Sequence, residues 1–368
     1  MVVLFFSLVM MQLLLSLLLF MPAALESDLF GSMHVPVYFV TALVFLFLIM
    51  LLASKGKIFA KLNEAFVGSI KFPISFFEKS VYVAGIFANL ITAIFVIMHG
   101  DHQVLYTVNS LKIYLLPFKL MALPAFFLAV ARIVVSDKWH DNILACLLIF
   151  TGVLSGSRGL LIFSLLAIVL LRNNIFFFFH PLRVFFALIG VVVFLLVGYY
   201  REPIFIDFGD YAILTIRSIS EFANSNLAIE SCGIAPSMVF YQFFSVFAGV
   251  LDFSRTTYNL TYCLTPEALE KGYGIAVSVV GESILLFGKF WFVFYFMYVL
   301  FGALIASLMC FSKRSWVKIC GIAFIPFLLY SARAELVYPY VFLLRAFIFV
   351  SAAYMISLIV KGCVKYRW

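Results

Sequence analysis

Long runs without a charged residue alternate with short polar punctuation along almost the whole chain. About 20 apolar residues carry a helix across the hydrocarbon core of a bilayer. By that measure the pattern predicts ten spans, over 2–24, 35–53, 80–98, 113–132, 142–157, 159–171, 184–200, 289–311, 319–331 and 340–360. The sixth and ninth are short and depend on their flanks. No run alternates with the period of a strand, and backbone groups in lipid must find their partners internally. The expected fold is therefore all-α, a polytopic membrane protein with one transmembrane domain over 1–368. The run from Val2 to Leu25 lacks a basic leader and is too long for the apolar part of a signal peptide, so it reads as a true span.

Composition agrees with this setting. Hydrophobic residues make up 65% of the chain and charged residues 11%, with mean hydropathy +1.16. A soluble domain carries about 25% charged residues. The net charge of +8 needs no nucleic acid to explain it. With the N-terminus inside, 15 of the 25 Lys and Arg residues fall in cytoplasmic segments, and ten of those 15 are lysine. This is the ordinary positive-inside bias, and it places both termini in the cytoplasm. The remaining ten are Lys112, Lys119, Lys271, Lys289, Arg158, Arg201, Arg217, Arg255, Arg333 and Arg345, so arginine predominates on the outer side or within the membrane. One such arginine at a helix end simply snorkels to the interface. Six together, against a rule that disfavours them, point to an anionic ligand, because the guanidinium fork grips phosphate oxygens in pairs where lysine offers a point charge.

One segment breaks the rhythm of short loops. From Arg201 to Gly288 the chain spends 88 residues on the outer side, and loops of that length are usually functional. Within it, Ser231 to Leu251 carries no charge and is almost long enough to span. Counting it as a span turns the basic clusters SKRSWVK and KGCVKYRW outward, against the positive-inside rule. It therefore reads as re-entrant or interfacial, which requires surrounding protein or a water-filled cavity at that depth. Arg217 and Glu221 are four apart in IRSISEF and share a face if helical. The spacing fits a mutual salt bridge and fits equally an arginine–carboxylate pair flanking a substrate.

Other chemistry has little support. Of the six cysteines, Cys232 and Cys263 share the external loop, where a disulfide is permitted; whether they pair is left open. No cysteine or histidine cluster has a recognised ligand spacing, and HGDHQ, with His99, Asp101 and His102, reads as a solvated loop rather than a metal site. Neither a phosphate-binding glycine loop nor a nucleophile elbow occurs. No metal or cofactor is expected.

Three stretches stand out. TGVLSGSRGLLIFSLLAIVLL puts the single charge of Arg158 between Gly156 and Gly159 at the tip of a predicted helical hairpin on the outer side. VGESILLFGKFWFVFYFMYVLFGALI carries Glu282 just ahead of the eighth span, and YSARAELVYPYVFLLR gathers Arg333, Glu335 and Arg345 about a short outer turn. Ionisable groups at such depth are functional candidates by default. For Glu282 the competing reading is a structural hydrogen bond or an ion pair to a loop. Lys119, between Pro117 and Pro124, is either a further candidate or a snorkelling residue.

SGSRGLLIFSLLAIVLL resembles the small-Arg-Gly hairpin of bacterial O-antigen polymerases of the Wzy type and of their ligase relatives. VGESILLFGKFWFVFYFMYVLFGALI is similar to the glutamate-then-phenylalanine-glycine stretch that opens a late helix of those polymerases, and the order of spans, hairpin, large loop and late helix also matches. Some members carry an arginine followed eleven residues later by glycine, which none of Arg158, Arg201, Arg217 or Arg255 has. The resemblance implies a glycosyltransferase at the outer face of the bacterial inner membrane, with 201–288 a periplasmic loop. It would polymerise oligosaccharide repeat units carried on undecaprenyl pyrophosphate, with a chain-length regulator protein as a partner. Arg158, Arg201, Arg217, Arg255, Arg333 and Arg345 would bind the substrate, and Glu282 and Glu221 would be the catalytic carboxylates. An O-antigen ligase shares the donor, and a lipid-linked oligosaccharide flippase shares the many helices but should line a central pathway with charge. An uptake transporter is disfavoured, since no repeat of the hydropathy pattern is found.

Overall fold

The computed structural model describes residues 2–26, 75–98, 109–136, 139–154, 158–172, 278–332 and 336–365, with the isolated positions 70, 237 and 259. All regular structure among them is helical. The helices are α1 (Val2–Glu26), α2 (Ser75–Met98), α3 (Asn109–Val135), α4 (Trp139–Leu154), α5 (Arg158–Arg172), α6 (Ser278–Phe287), α7 (Trp291–Cys310), α8 (Ser315–Tyr330) and α9 (Tyr338–Lys365), with a short 3-10 turn, Gly288–Phe290, joining α6 to α7. The predicted spans at 35–53 and 184–200, and residues 201–277 of the long loop with the re-entrant candidate 231–251, lie outside the described residues apart from positions 237 and 259.

The bundle is built inside out relative to a soluble protein. Large apolar side chains face outward at helical spacing: Val83, Phe87, Ile91 and Ile94 on α2, and Val293, Met297, Phe301, Leu304 and Leu308 on α7. In water a surface of this kind invites aggregation; against lipid tails it costs nothing. Polar groups turn inward instead, including Gln12, Ser16, Glu78, Asn89, Thr92, Asn142, Thr151, Ser164 and Glu282. Segments of α2 (Phe77–Phe95), α7 (Trp291–Cys310) and α9 (Tyr338–Lys361) are long and apolar enough to cross a membrane. These are the features of a membrane-embedded helical protein.

Helix α8 explains how a short span is accommodated. Its 16 residues reach about 24 Å at 1.5 Å per residue, less than the roughly 30 Å hydrocarbon core. The deficit does not matter because α8 meets protein rather than lipid: every residue from Lys318 to Leu329 is buried. It packs on α7, α9, α5 and α3. The approach to α7 is close at Gly321, where an added Cβ would lie 2.7 Å from Met309 Cβ and 2.8 Å from the Cys310 backbone nitrogen. Small residues let transmembrane helices come this near, which is where their packing energy arises. On the other side of the bundle α2 packs along α3 and α4. There Gly85 meets Ala125, and Asn89 Nδ2 donates to Leu148 O and Thr151 Oγ1, both at 3.3 Å.

Two ends of the bundle can be told apart by their polar contacts. At one end, Arg132 grips Glu78 with both arms of its fork, Nε donating to Oε1 at 2.7 Å and Nη2 to Oε2. Tyr82 donates its hydroxyl to the same Oε1 at 2.5 Å. Nearby, Arg172 donates to the last carbonyls of the α3 segment, Val134 at 3.2 Å and Ser136, where a cation complements the negative helix end. Asn142 Nδ2 shares the Ser136 carbonyl at 2.8 Å. Away from this end, α6 bonds to Ser331 and Leu336, and α5 meets the end of α8 through Phe163 and Tyr330.

The long loop does not run unstructured to Gly288. Its last residues form α6, where Val279, Val280, Gly281, Glu282 and Ser283 are all buried. The chain then breaks at Gly288, whose φ of +51° glycine alone adopts without strain. The eighth span thus begins as expected, behind a helix that hydropathy did not predict.

Candidate functional site

Glu282 sits on the first turns of α6 and is 0% exposed. Its Oε2 accepts the Leu336 backbone N–H at 2.5 Å. One helical turn earlier, the Val279 N–H donates to the Ser331 carbonyl at 3.1 Å. These two contacts join α6 to both sides of the α8–α9 turn, so two of the stretches singled out in the sequence are bonded to each other. Ser283 closes back on its own helix, donating to Val279 O at 2.7 Å.

Ser331 is the centre of the arrangement. Its hydroxyl donates to Leu328 O at 2.6 Å and accepts from Gln12 Nε2 of α1 at 2.8 Å. The Tyr298 hydroxyl is buried with no hydrogen-bond partner among the described residues, and Tyr340 donates to the Tyr298 carbonyl at 3.4 Å. The Gln12 amide nitrogen, Ser331 and Glu282 are satisfied within this set, whereas Gln12 Oε1 and the Tyr298 hydroxyl are not; a buried hydroxyl or amide left alone costs about 1–3 kcal/mol.

An aromatic chain links this cluster to the start of α5. Phe163, five residues into α5 from Arg158, packs edge-on against Tyr330 with ring centroids 5.3 Å apart. Tyr330 meets Tyr338, Tyr338 meets Phe342, and Phe342 stacks on Phe327 at 4.2 Å. Arg345, one turn further along α9, holds its guanidinium carbon 5.1 Å from the centre of the Phe342 ring. A cation over an aromatic face is stabilised by about 0.5–1 kcal/mol at an exposed site and by about 2 kcal/mol when desolvated.

Of the residues expected to form a site, Glu282 is bonded to Leu336 at the start of the α9 side, the helix that Arg158 opens packs beside Ser331 through Phe163 and Tyr330, and Arg345 lies at the far end of the aromatic chain, over Phe342. Arg201, Arg217, Glu221, Arg255 and Arg333 lie outside the described residues, as do Cys232 and Cys263. No group of three metal-ligating side chains occurs among the described residues. Glu282 accepts a hydrogen bond from the Leu336 N–H, a contact that fits both its structural and its catalytic reading. Gln12, Ser331 and Tyr298 were not singled out by the sequence. Gln12 had a signal, being the one amide in the charge-free run from Val2 to Leu25, but nothing in that run pointed to its partner. Similarly, Arg132 reads from sequence as one more cytoplasmic cation, whereas it is committed to Glu78.

No protein-family model, no curated protein and no solved structure matches this chain. Its function is accordingly argued from its own residues.

Proposed function

We propose that the protein is a membrane glycosyltransferase that polymerises oligosaccharide repeat units carried on undecaprenyl pyrophosphate, at the periplasmic face of a bacterial inner membrane. The observation that supports this reading most is the docking of the Glu282 helix on Ser331 and Leu336, through Val279–Ser331 and Glu282–Leu336, with the helix that Arg158 opens packed against Tyr330 through Phe163. In the proposed reaction a sugar hydroxyl of one lipid-linked unit attacks the anomeric carbon of the growing chain. The carbon–oxygen bond to pyrophosphate breaks, its electron pair leaves with the phosphate, and the hydroxyl proton passes to a carboxylate. Arginine forks suit the charge that builds on the leaving group and need no metal. A positioned base contributes about 10²–10⁴-fold. The ten-span topology, the cytoplasmic termini and a chain-length regulator as partner belong to the same proposal.

Orientation is tested by cysteine labelling from outside intact cells, with the six native cysteines replaced by alanine. Ser218→Cys should react and Ser315→Cys should not. Labelling at Ser315 would overturn the ten-span arrangement.

The chemistry is tested by complementing a deletion strain and running its lipopolysaccharide on a gel. Loss of the protein should leave single-unit caps; a bare core would point to a ligase or a flippase instead. Arg158→Lys should fail to restore the polymer ladder, because the charge survives and the two-pronged grip does not. Glu282→Gln keeps an oxygen that accepts the Leu336 N–H while removing the titrating group. Loss of the ladder at normal protein level is the result expected of a base. A full ladder would confine Glu282 to holding the turn and leave the base to Glu221.

A further inference from the structure

We infer that Gln12 is a positioning residue for the proposed transfer site, reaching from the interior of α1 to fix the end of α8 on which α6 docks. This rests on the polymerase reading for its purpose, though not for its geometry. Gln12 is 0% exposed and makes a 2.8 Å hydrogen bond to Ser331, 319 positions away in the chain. Ser331 in turn presents its carbonyl to Val279 of α6 and its hydroxyl to Leu328. One turn along α6, Glu282 takes the Leu336 N–H. The two sides of the α8–α9 turn are therefore held separately, Ser331 by Gln12 and Val279 and Leu336 by Glu282.

The composition of α1 makes the choice of residue informative. The helix is otherwise apolar apart from Ser7, Ser16 and Glu26, and Leu8, Val9 and Leu13 around Gln12 are fully buried. A leucine or methionine would fill the same space at no polar cost. Instead the glutamine Oε1 is buried with no hydrogen-bond partner, a standing penalty that an apolar residue would avoid. Polar groups this deep are expensive and mark function by default. What this one supplies is a fixed distance between α1 and the turn. Its action on the reaction runs through Ser331 and α6 rather than through contact with substrate.

The test compares wild type, Gln12→Met and Ser331→Ala, each purified and reconstituted in liposomes with lipid-linked repeat units. Amide hydrogen exchange over the peptides covering 328–337 should rise about tenfold in both variants, the change expected for one lost hydrogen bond, while peptides of α2 and α3 stay unchanged. Polymer formation should show kcat down about tenfold or more with KM for the lipid-linked unit within about twofold. The double variant should be no worse than Ser331→Ala alone, since the Gln12 bond is already lost there. Unchanged exchange at 328–337, or a loss of polymer that merely follows the amount of folded protein, would overturn the assignment. Should Gln12→Met not accumulate, Gln12→Asn keeps the amide one methylene short and is expected to give the same exchange pattern. If the wild type makes no polymer, the polymerase reading fails by itself and the exchange comparison still decides whether Gln12 fixes the turn.

Discussion

Arg132→Met is expected to lower stability by about 3–5 kcal/mol, because it leaves the Glu78 carboxylate buried without its cation. Glu78 is 2% exposed and takes three donors, two from Arg132 and one from Tyr82. Removing the arginine strands the charge where water reaches it poorly. The companion change makes the expectation specific. A double variant, Glu78→Met with Arg132→Met, should recover most of the loss, since replacing a buried pair by apolar groups of similar volume is often neutral or stabilising. Thermal unfolding in detergent, read for both singles and the double, checks this. Equal and additive losses would mean that the two side chains do not work as a pair.

Gly321→Val is expected to do comparable damage by a different route. A Cβ at position 321 meets the Cys310 nitrogen at 2.8 Å and the Met309 carbonyl carbon at 3.1 Å as well as Met309 Cβ at 2.7 Å. Backbone atoms cannot rotate aside, so α7 and α8 must separate. Overpacking of a tight site costs about 1–3 kcal/mol and more when nothing can yield. The variant should fail to accumulate in membranes. Gly152→Ala is the control: the nearest atom to its added methyl is Asn89 Nδ2, at 3.8 Å, and its level should match wild type. Similar membrane levels of Gly321→Val and wild type would show that α7 and α8 are not held so closely.

Much of the helical architecture is legible in the sequence, and its errors share a cause. Hydropathy stops a span at a charge. The second helix of the structure begins at Ser75 rather than at 80, because Glu78 is matched by Arg132 and so can be buried. The same pair lets α3 run past Arg132 to Val135, while its other end lies at Asn109 rather than at 113. At α6 the charge of Glu282 argued for a loop, and the structure shows a helix because the carboxylate meets the Leu336 N–H, 54 residues away. The partner of Gln12 is still more remote. No local pattern reports a hydrogen bond across such separations, so the elements of the site could be named while the bonds that assemble them could not. Arg345 illustrates the middle case. Its position at the membrane boundary was readable, whereas its seat over Phe342 depends on which face of α9 meets α8.

Reconstitution tests most directly whether the protein joins lipid-linked repeat units. The purified protein in liposomes, given undecaprenyl-pyrophosphate-linked repeat units alone, should convert them to lipid-linked chains of two units and more. One undecaprenyl pyrophosphate should be released for each bond formed. Units that persist unjoined under conditions in which the protein is folded and correctly inserted would contradict the account.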